Sequence, residues 1–268
     1  MRVSCIQMNS GQDKEANLKQ AAHWLEIAAD AGSDLAVLPE NFAMIGADDA
    51  GKRAAAEPED KSMVLDFLSA QAANHRMAVI GGSVALCSGN NEKFRNACAV
   101  FDQNGNRLGI YDKMHLFDVD IGNQEYRESE LVEAGGEPVL VGLDEWKIGL
   151  SICYDVRFPE LYRRYSSHGC QILSVVAAFT VPTGMAHWQT LLSARAIENQ
   201  CYVVASAQWG KHPGGRQTWG HSMVINPWGD ILGMHEEGEG VVTADLSMQE
   251  LVSIRTSLPA LKHRVLES

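Results

Sequence analysis

A layered α/β domain containing two β-sheets is the fold class this sequence predicts. Three observations predict it. Strand-like apolar runs alternate with helix-period segments as far as Ala205, and the region from His221 to Asp245 is strand and turn. The totals, 268 residues with 46% hydrophobic and 21% charged content, suit one large globular domain.

The elements follow in order. Val3, Cys5, Ile6 and Met8 make an opening strand, and Asp13 is an N-cap for a helix whose Leu18, Ala21, Ala22, Leu25, Ala28 and Ala29 share one face. Gly32 stops that helix. Asp34 to Leu38 is a short apolar strand bounded by Pro39, with Glu40 at its tip. Ala43 to Asp60 is polar, alanine-rich and weakly patterned, and reads as a loop able to cover a site. A second helix spans about Lys61 to His75. Met77 to Ser83 is strand-like, and Gly81-Gly82 permits close approach of another chain segment.

Asn96 to Phe101 and Arg107 to Tyr111 flank Asp102-Gln103-Asn104-Gly105, a hairpin turn, with Lys113 just beyond. Asp118 to Glu137 is acidic and irregular, a second long loop. Val139 to Val141 and Lys147 to Ile152 are strands. Gln171 to Ala177 is another buried strand, His187 to Gln200 a helix, and Cys201 to Ala205 a strand. His221 to Asn226, the turn Pro227 to Asp230, Ile231 to Met234 and Gly240 to Asp245 follow. A short helix from about Ser247 to Thr256 leads into a tail at about 258–268. No repeat or linker interrupts residues 1–268, which read as a single domain.

The formal net charge of -12 argues against binding a phosphate backbone, which needs a basic face. Six cysteines without a C-x-x-C pair suit a reducing compartment. No segment approaches the ~20 apolar residues of a membrane span, and Met1 to Gly11 alternates like a strand rather than a leader. A cytoplasmic protein that binds neither nucleic acid nor membrane is expected. Metal and nucleotide motifs are absent, so no cofactor and no metal are expected.

The rest of the chain is organised around Lys147 to Tyr162. An apolar, small-residue strand ends on Cys153, and Phe158-Pro159-Glu160 then opens a helix. Ligands in open α/β sheets gather at such strand tips. A free cysteine more often packs as a small inert hydrophobe, so position alone does not decide its role. Two other strand tips carry ionisable residues, Glu40 and Lys113. His168, His187 and His221 are potential partners of Cys153, but no orienting Asn accompanies them, and structural histidines are the simpler reading.

Leu38-Pro39-Glu40-Asn41, Tyr111-Asp112-Lys113-Met114-His115-Leu116 and Cys153-Tyr154-Asp155-Val156-Arg157-Phe158-Pro159-Glu160 resemble, in order, the three signature segments of the nitrilase superfamily. The resemblance runs from the first strand to about Asp245. It implies a four-layer α-β-β-α sandwich and a homodimer, paired through the helix His187 to Gln200 and the tail after Leu258. It also implies catalytic roles for Glu40, Lys113 and Cys153. Chemistry agrees independently. A glutamate can take the thiol proton and return it to the leaving nitrogen, its pKa raised by burial, while a lysine favours thiolate and oxyanion. Without the resemblance, Glu40 and Lys113 would read as solvated loop residues.

Glu128, in Tyr126-Arg127-Glu128-Ser129, looks like the family's additional glutamate, or is one acid among Glu125, Glu130 and Glu133 in an exposed loop. Arg157 suits bidentate binding of a substrate carboxylate, or an ion pair to Asp155 or Glu160. Thr183 could add a hydroxyl to the same anion, and both match carboxylate-binding positions of the branch this chain resembles. Tyr154-Asp155 resembles the amidase-type branches, where true nitrilases carry Trp-Glu, and places Tyr154 beside the substrate.

With Ala178 to Gly184 and Ala194 to Gln200, the cysteine segment looks most like the Nit group, whose members hydrolyse the terminal amide of deaminated glutathione. A neighbouring group hydrolyses α-ketoglutaramate. The loop Ile121 to Glu137 departs from the group's usual run. The expected activity is a metabolite-repair amidase acting through a thioester to release acid and ammonia from a small 2-oxo acid amide. The alternatives are an ω-amidase, an N-carbamoyl or aliphatic amidase, and an interaction protein that keeps only the fold. Fast labelling of Cys153 by a thiol reagent, ahead of the other five cysteines, would mark an enzyme.

Overall fold

The computed structural model describes residues 1–46, 48–89, 92–121 and 124–266. Ala47, Gly122 and Asn123 of the two expected loops, and Glu267 and Ser268 of the expected tail, lie outside the described residues. The first half comprises β1 (Arg2–Gln7), α1 (Lys14–Asp30), β2 (Leu35–Val37), α2 (Asp49–Ala54), α3 (Met63–His75), β3 (Ala78–Ile80), β4 (Val84–Cys87), β5 (Phe94–Phe101), β6 (Arg107–Asp112), β7 (Asp118–Ile121) and β8 (Gln124–Arg127). The second comprises β9 (Leu140–Leu143), β10 (Trp146–Ile152), α4 (Pro159–Ser167), β11 (Ile172–Ala177), α5 (Val181–Asn199), β12 (Tyr202–Ala207), β13 (Trp209–Lys211), β14 (Gln217–Trp219), β15 (Ser222–Ile225), β16 (Ile231–His235), β17 (Gly240–Asp245) and α6 (Met248–Ser257).

Two sheets carry the architecture. One runs β17-β1-β2-β3-β5-β4 with β6 also paired to β5, and the other runs β16-β15-β12-β11-β10-β9. Strand periodicity decides which side chains meet between them. Val3, Cys5, Leu35, Val37, Ala78 and Ile80 enter one core with Ile148, Leu150 and Ile152 of the facing sheet, joined by Tyr162, Tyr165 and Trp188 of α4 and α5. The alternate residues Ile6, Ala36 and Val79 face the other way, against Leu18, Leu25, Leu65 and Leu68 of α1 and α3. The result is the expected α-β-β-α sandwich.

This arrangement puts functional positions at one end. β1, β2 and β3 are mutually parallel, as are β10, β11 and β12. β6 is antiparallel to β5, itself antiparallel to β3, so β6 runs with β2 and β3. Glu40 and Lys113 therefore follow the carboxyl ends of like-directed strands in one sheet.

Several expectations need correction. The segment 43–60 is not loop throughout: Asp48 accepts a hydrogen bond from Gly51 N–H and caps the short helix α2. The acidic stretch after Asp118 contains the hairpin β7–β8, and β4 and the ribbon β13–β14 were not anticipated. These pieces are three or four residues long, too short to show a period. α5 begins at Val181 rather than His187, because Pro182 sits in its first turn, where a missing N–H does no harm. Gly82 meets its expected use: it adopts φ +55°, and a Cβ there would lie 2.1 Å from the Pro39 carbonyl oxygen.

Candidate active site

Cys153 follows the last residue of β10 and begins a single 3₁₀ turn, Cys153–Arg157, before Pro159 opens α4. Its φ is +50°, a left-handed conformation that side-chain-bearing residues seldom adopt. Asp155 holds this turn. Fully buried, it accepts hydrogen bonds from Ile152 N–H at 2.8 Å, Tyr111 Oη–H at 2.7 Å, His115 N–H at 3.1 Å and the His115 ring Nδ1 at 2.7 Å. The His115 ring stacks on Phe158 with centroids 3.7 Å apart. One carboxylate thus ties the strand carrying Lys113 to the turn carrying Cys153.

Glu40 is 2% exposed. Its Oε1 accepts from Lys113 Nζ and from Asn96 Nδ2, each at 3.1 Å, and its Oε2 accepts from Ala178 N–H at 2.8 Å. The Cys153 thiol neighbours this carboxylate and helps to hold its pKa down. Lys113 is equally buried, and its ammonium reaches both oxygens of Glu128, at 2.9 and 2.8 Å. Glu128 is fixed in turn by the Phe117 N–H at 2.7 Å. Glu40, Lys113, Glu128 and Cys153 all border a cavity of about 670 Å³, of a size that suits a small organic molecule.

The electrostatics follow from this packing. Burial raises the Cys153 thiol pKa and the Glu40 charge raises it further, against the opposing pull of Lys113 and the Ala178 N–H, so the sulfur rests protonated. Burial also opposes ionisation of Glu40. The charges of Lys113 and Arg216, the neighbouring Cys153 thiol and the hydrogen bond from Lys113 outweigh it, and the carboxyl titrates below its ordinary value. This corrects the expectation that burial leaves Glu40 raised. Burial disfavours charge on Lys113, but Glu128 and Glu40 overcome it and hold the ammonium well above its usual range.

Tyr154 and Thr183 also line the cavity. Tyr154 is packed edge-on between Phe117 and Phe158. Thr183 lies in the first turn of α5, its hydroxyl 2.8 Å from that of Thr180. Arg157 is not on the wall. Its guanidinium lies over the rings of Tyr154 and Phe179, which are, and donates to His187 Nδ1 at 3.3 Å. Among the described residues it has no ion pair with Asp155 or Glu160. His168 donates to Arg164 O and His221 to Trp219 O, and among the described residues no hydrogen bond joins them or His187 to Cys153. The exposed thiol is that of Cys87, so Cys153 cannot be expected to outrun it with a bulky reagent.

Four contributors went unread in the sequence: Asn96, the Ala178 N–H, Asp155 and Arg216. Asn96 gave a signal, a polar residue opening an otherwise apolar strand. Arg216 gave none, since it sits in a Gly-rich turn between two three-residue strands.

The family model for carbon-nitrogen hydrolase matches residues 2–256. The chain belongs to the carbon-nitrogen hydrolase family. A protein of Synechocystis sp. named deaminated glutathione amidase is 41% identical over 98% of this chain and 97% of its own. An omega-amidase of Danio rerio is 35% identical over 98% and 94%. Among solved structures, Saccharomyces cerevisiae Nit3, described as a member of branch 10 of the nitrilase superfamily, matches with a TM-score of 0.90 at 30% identity, over 99% of this chain and 97% of that one. The chain is an enzyme of the amidase type with the nitrilase fold, as its three segments implied. Among the described residues no helix is long and apolar enough to cross a membrane, and no three His, Cys, Asp or Glu side chains are grouped to hold a metal ion.

Proposed function

We propose that this protein is a cysteine-dependent amidase that cleaves the amide joining the 2-oxoglutarate unit of deaminated glutathione to its dipeptide. The observation that carries the reading is the convergence of three residues on one cavity: Glu40 lies 3.1 Å from Lys113, and Cys153 opens onto the same cavity beside them. In the first step the Cys153 sulfur attacks the carbonyl carbon while its proton passes to Glu40. Lys113 and the Tyr154 N–H at the head of the 3₁₀ turn hold the oxyanion. Glu40 then gives its proton to the leaving nitrogen, and the carbon–nitrogen bond breaks to leave a thioester. Water, deprotonated by Glu40, attacks the thioester carbon, and the sulfur departs with that proton as the acid is released. Glu128 fixes the Lys113 ammonium throughout.

The product expectation is refined by the chemistry of the substrates. Ammonia leaves only from a primary amide such as α-ketoglutaramate. The amides of deaminated glutathione are secondary, so its leaving group is the amine of cysteinylglycine. Both substrates yield 2-oxoglutarate.

Thr183 and Tyr154 serve the substrate's 2-oxo acid end in this reading, and Arg157 stands behind Tyr154 and Phe179. Residues 1–268 act as one catalytic domain in the cytoplasm, where the free thiols persist. The working form is a homodimer. Its support is apolar surface at Ile197 of α5, Val252 of α6 and Leu258, each about half exposed. ω-Amidase activity on α-ketoglutaramate is the second reading, favoured by the Danio rerio relative.

The test is 2-oxoglutarate release from the two amides side by side, by wild type and Cys153→Ala. A higher kcat/KM for deaminated glutathione with a silent Cys153→Ala supports the first reading. Preference for α-ketoglutaramate selects the second, and release from neither removes both.

A further inference from the structure

The cations on the cavity wall differ in what already occupies them. Lys14 is paired with Glu57 at 2.5 Å, Lys52 with Asp49 at 3.1 Å, and Arg127 with Asp120 at 2.9 Å and Glu125 at 2.7 Å. Lys113 is shared between Glu40 and Glu128. Arg216 also lines the cavity, and no carboxylate of the described residues lies within ion-pairing distance of it. Among the described residues its one side-chain hydrogen bond runs from Nη2 to the Ala178 carbonyl at 2.6 Å, and its buried Nε has no partner. A guanidinium presents five donors in a planar fork, so most of its hydrogen-bonding capacity is unused.

This is a built position rather than a stray surface side chain. The Arg216 carbonyl accepts from His212 N–H at 2.8 Å. The buried His212 ring is pinned on both sides: Nδ1 donates to Ser10 O at 2.9 Å, and Nε2 accepts from the Thr218 hydroxyl at 2.6 Å. The loop between β13 and β14 is thereby anchored to the chain after β1. Its guanidinium is held on the Ala178 carbonyl, and the Ala178 N–H holds Glu40. Arg157, the cation expected to take the substrate's carboxylate, meanwhile lies against Tyr154 and Phe179, away from the wall.

We infer that Arg216 is a specificity-determining residue that pairs with a carboxylate of the substrate, selecting anionic over neutral amides. The inference rests on the proposed amidase reading and extends it by naming the group that recognises charge. The substrate carboxylate accepts from guanidinium N–H groups that no protein acceptor uses, and no covalent step is involved. Two carboxylates qualify: the 2-oxo acid end, common to both amides, and the glycine end of the leaving dipeptide, present only in deaminated glutathione.

The experiment compares wild type, Arg216→Lys and Arg216→Met on three amides: deaminated glutathione, α-ketoglutaramate and 4-oxopentanamide, which replaces the carboxylate of α-ketoglutaramate with a methyl group. The ratio of kcat/KM for an anionic amide to that for 4-oxopentanamide should fall roughly 10- to 100-fold in Arg216→Met, the effect of losing a hydrogen bond to a charged group. The change should lie in KM, with Arg216→Lys intermediate. A loss on both anionic amides assigns the 2-oxo acid end, and a loss on deaminated glutathione alone assigns the dipeptide end. An unchanged ratio, or an equal fall in kcat on charged and neutral amides, overturns the inference.

A binding readout separates this from failure of the amidase reading. Where the kinetic loss falls on both anionic amides, 2-oxoglutarate should protect Cys153 from iodoacetamide, in a Cys87→Ser background, in the Arg216 protein and protect at least tenfold less well in Arg216→Met. If 2-oxoglutarate protects both proteins equally, or neither, Arg216 does not bind the 2-oxo acid end, and unless the kinetic loss is confined to deaminated glutathione the inference is overturned.

Discussion

Replacing Asp155 by alanine should cripple the enzyme through its fold, because this residue touches the nucleophile only by way of the backbone. The carboxylate is fully buried and accepts four hydrogen bonds. Asp155→Ala strands two buried donors, Tyr111 Oη–H and Ile152 N–H, at about 1–3 kcal/mol each. The two His115 donors are nearer solvent and recover water, adding about 1 kcal/mol together. The sum, roughly 3–7 kcal/mol, is a large part of the ~5–15 kcal/mol that keeps a typical domain folded. At about 2–4 °C per kcal/mol for a chain of this size, Tm should drop by about 6 °C at the least. Below the new Tm, kcat should still be depressed about 10²-fold, since a displacement of ~1 Å at a nucleophile costs that much. Asp155→Asn can keep an oxygen toward Ile152 and Tyr111 while losing the His115 pair, so it should fall between. Thermal unfolding and 2-oxoglutarate release measure both effects. If Asp155→Ala melts within 2 °C of wild type or keeps its kcat, the cross-tie is not what holds the left-handed turn at Cys153.

Glu128→Gln should lower kcat about 10- to 100-fold with little change in KM, because the bidentate partner of Lys113 loses its charge while the cavity keeps its shape; steady-state kinetics on α-ketoglutaramate read this, and an unaltered kcat would make Glu128 a bystander. The acid limb of kcat/KM should lie below pH 4.5, the ordinary carboxyl value, since Glu40 is held lower than that. By the same linkage, the stability Glu40 contributes is present above pH 4.5 and lost as pH falls through its depressed folded value; a limb near pH 6 would mean that burial, not Lys113 and Arg216, dominates.

The layers and strand tips were legible in the sequence because they depend on periodicity and on a few stop signals. Asp13 caps α1, Ser247 caps α6 and Pro159 opens α4, each where local chemistry demands it. Glu40, Lys113 and Cys153 could be singled out as candidates for a different reason, as three short segments in a familiar order. The missing parts are those whose meaning is made only by folding. Asp155 was considered as a partner for Arg157, and its four actual donors come from as far away as Tyr111. The β7–β8 hairpin and the β13–β14 ribbon have too few residues to register a period, and with the second of them Arg216 went unseen.

The burial that hid these residues also bears on the proposed mechanism. Around the Cys153 sulfur stand Glu40, which is ionised, and Lys113, whose single charge is divided between Glu40 and Glu128. A thiolate would be a third anion sharing that one nearby ammonium, so the resting sulfur keeps its proton. In the proposed mechanism nucleophile and base are then coupled: the sulfur gains charge only as Glu40 loses it, and the charge moves at once onto the carbonyl oxygen, where Lys113 and the Tyr154 N–H can meet it. On that proposal the lysine's two carboxylates restrain it from stabilising a free thiolate and reserve its field for the oxyanion, the species that exists only when substrate is present.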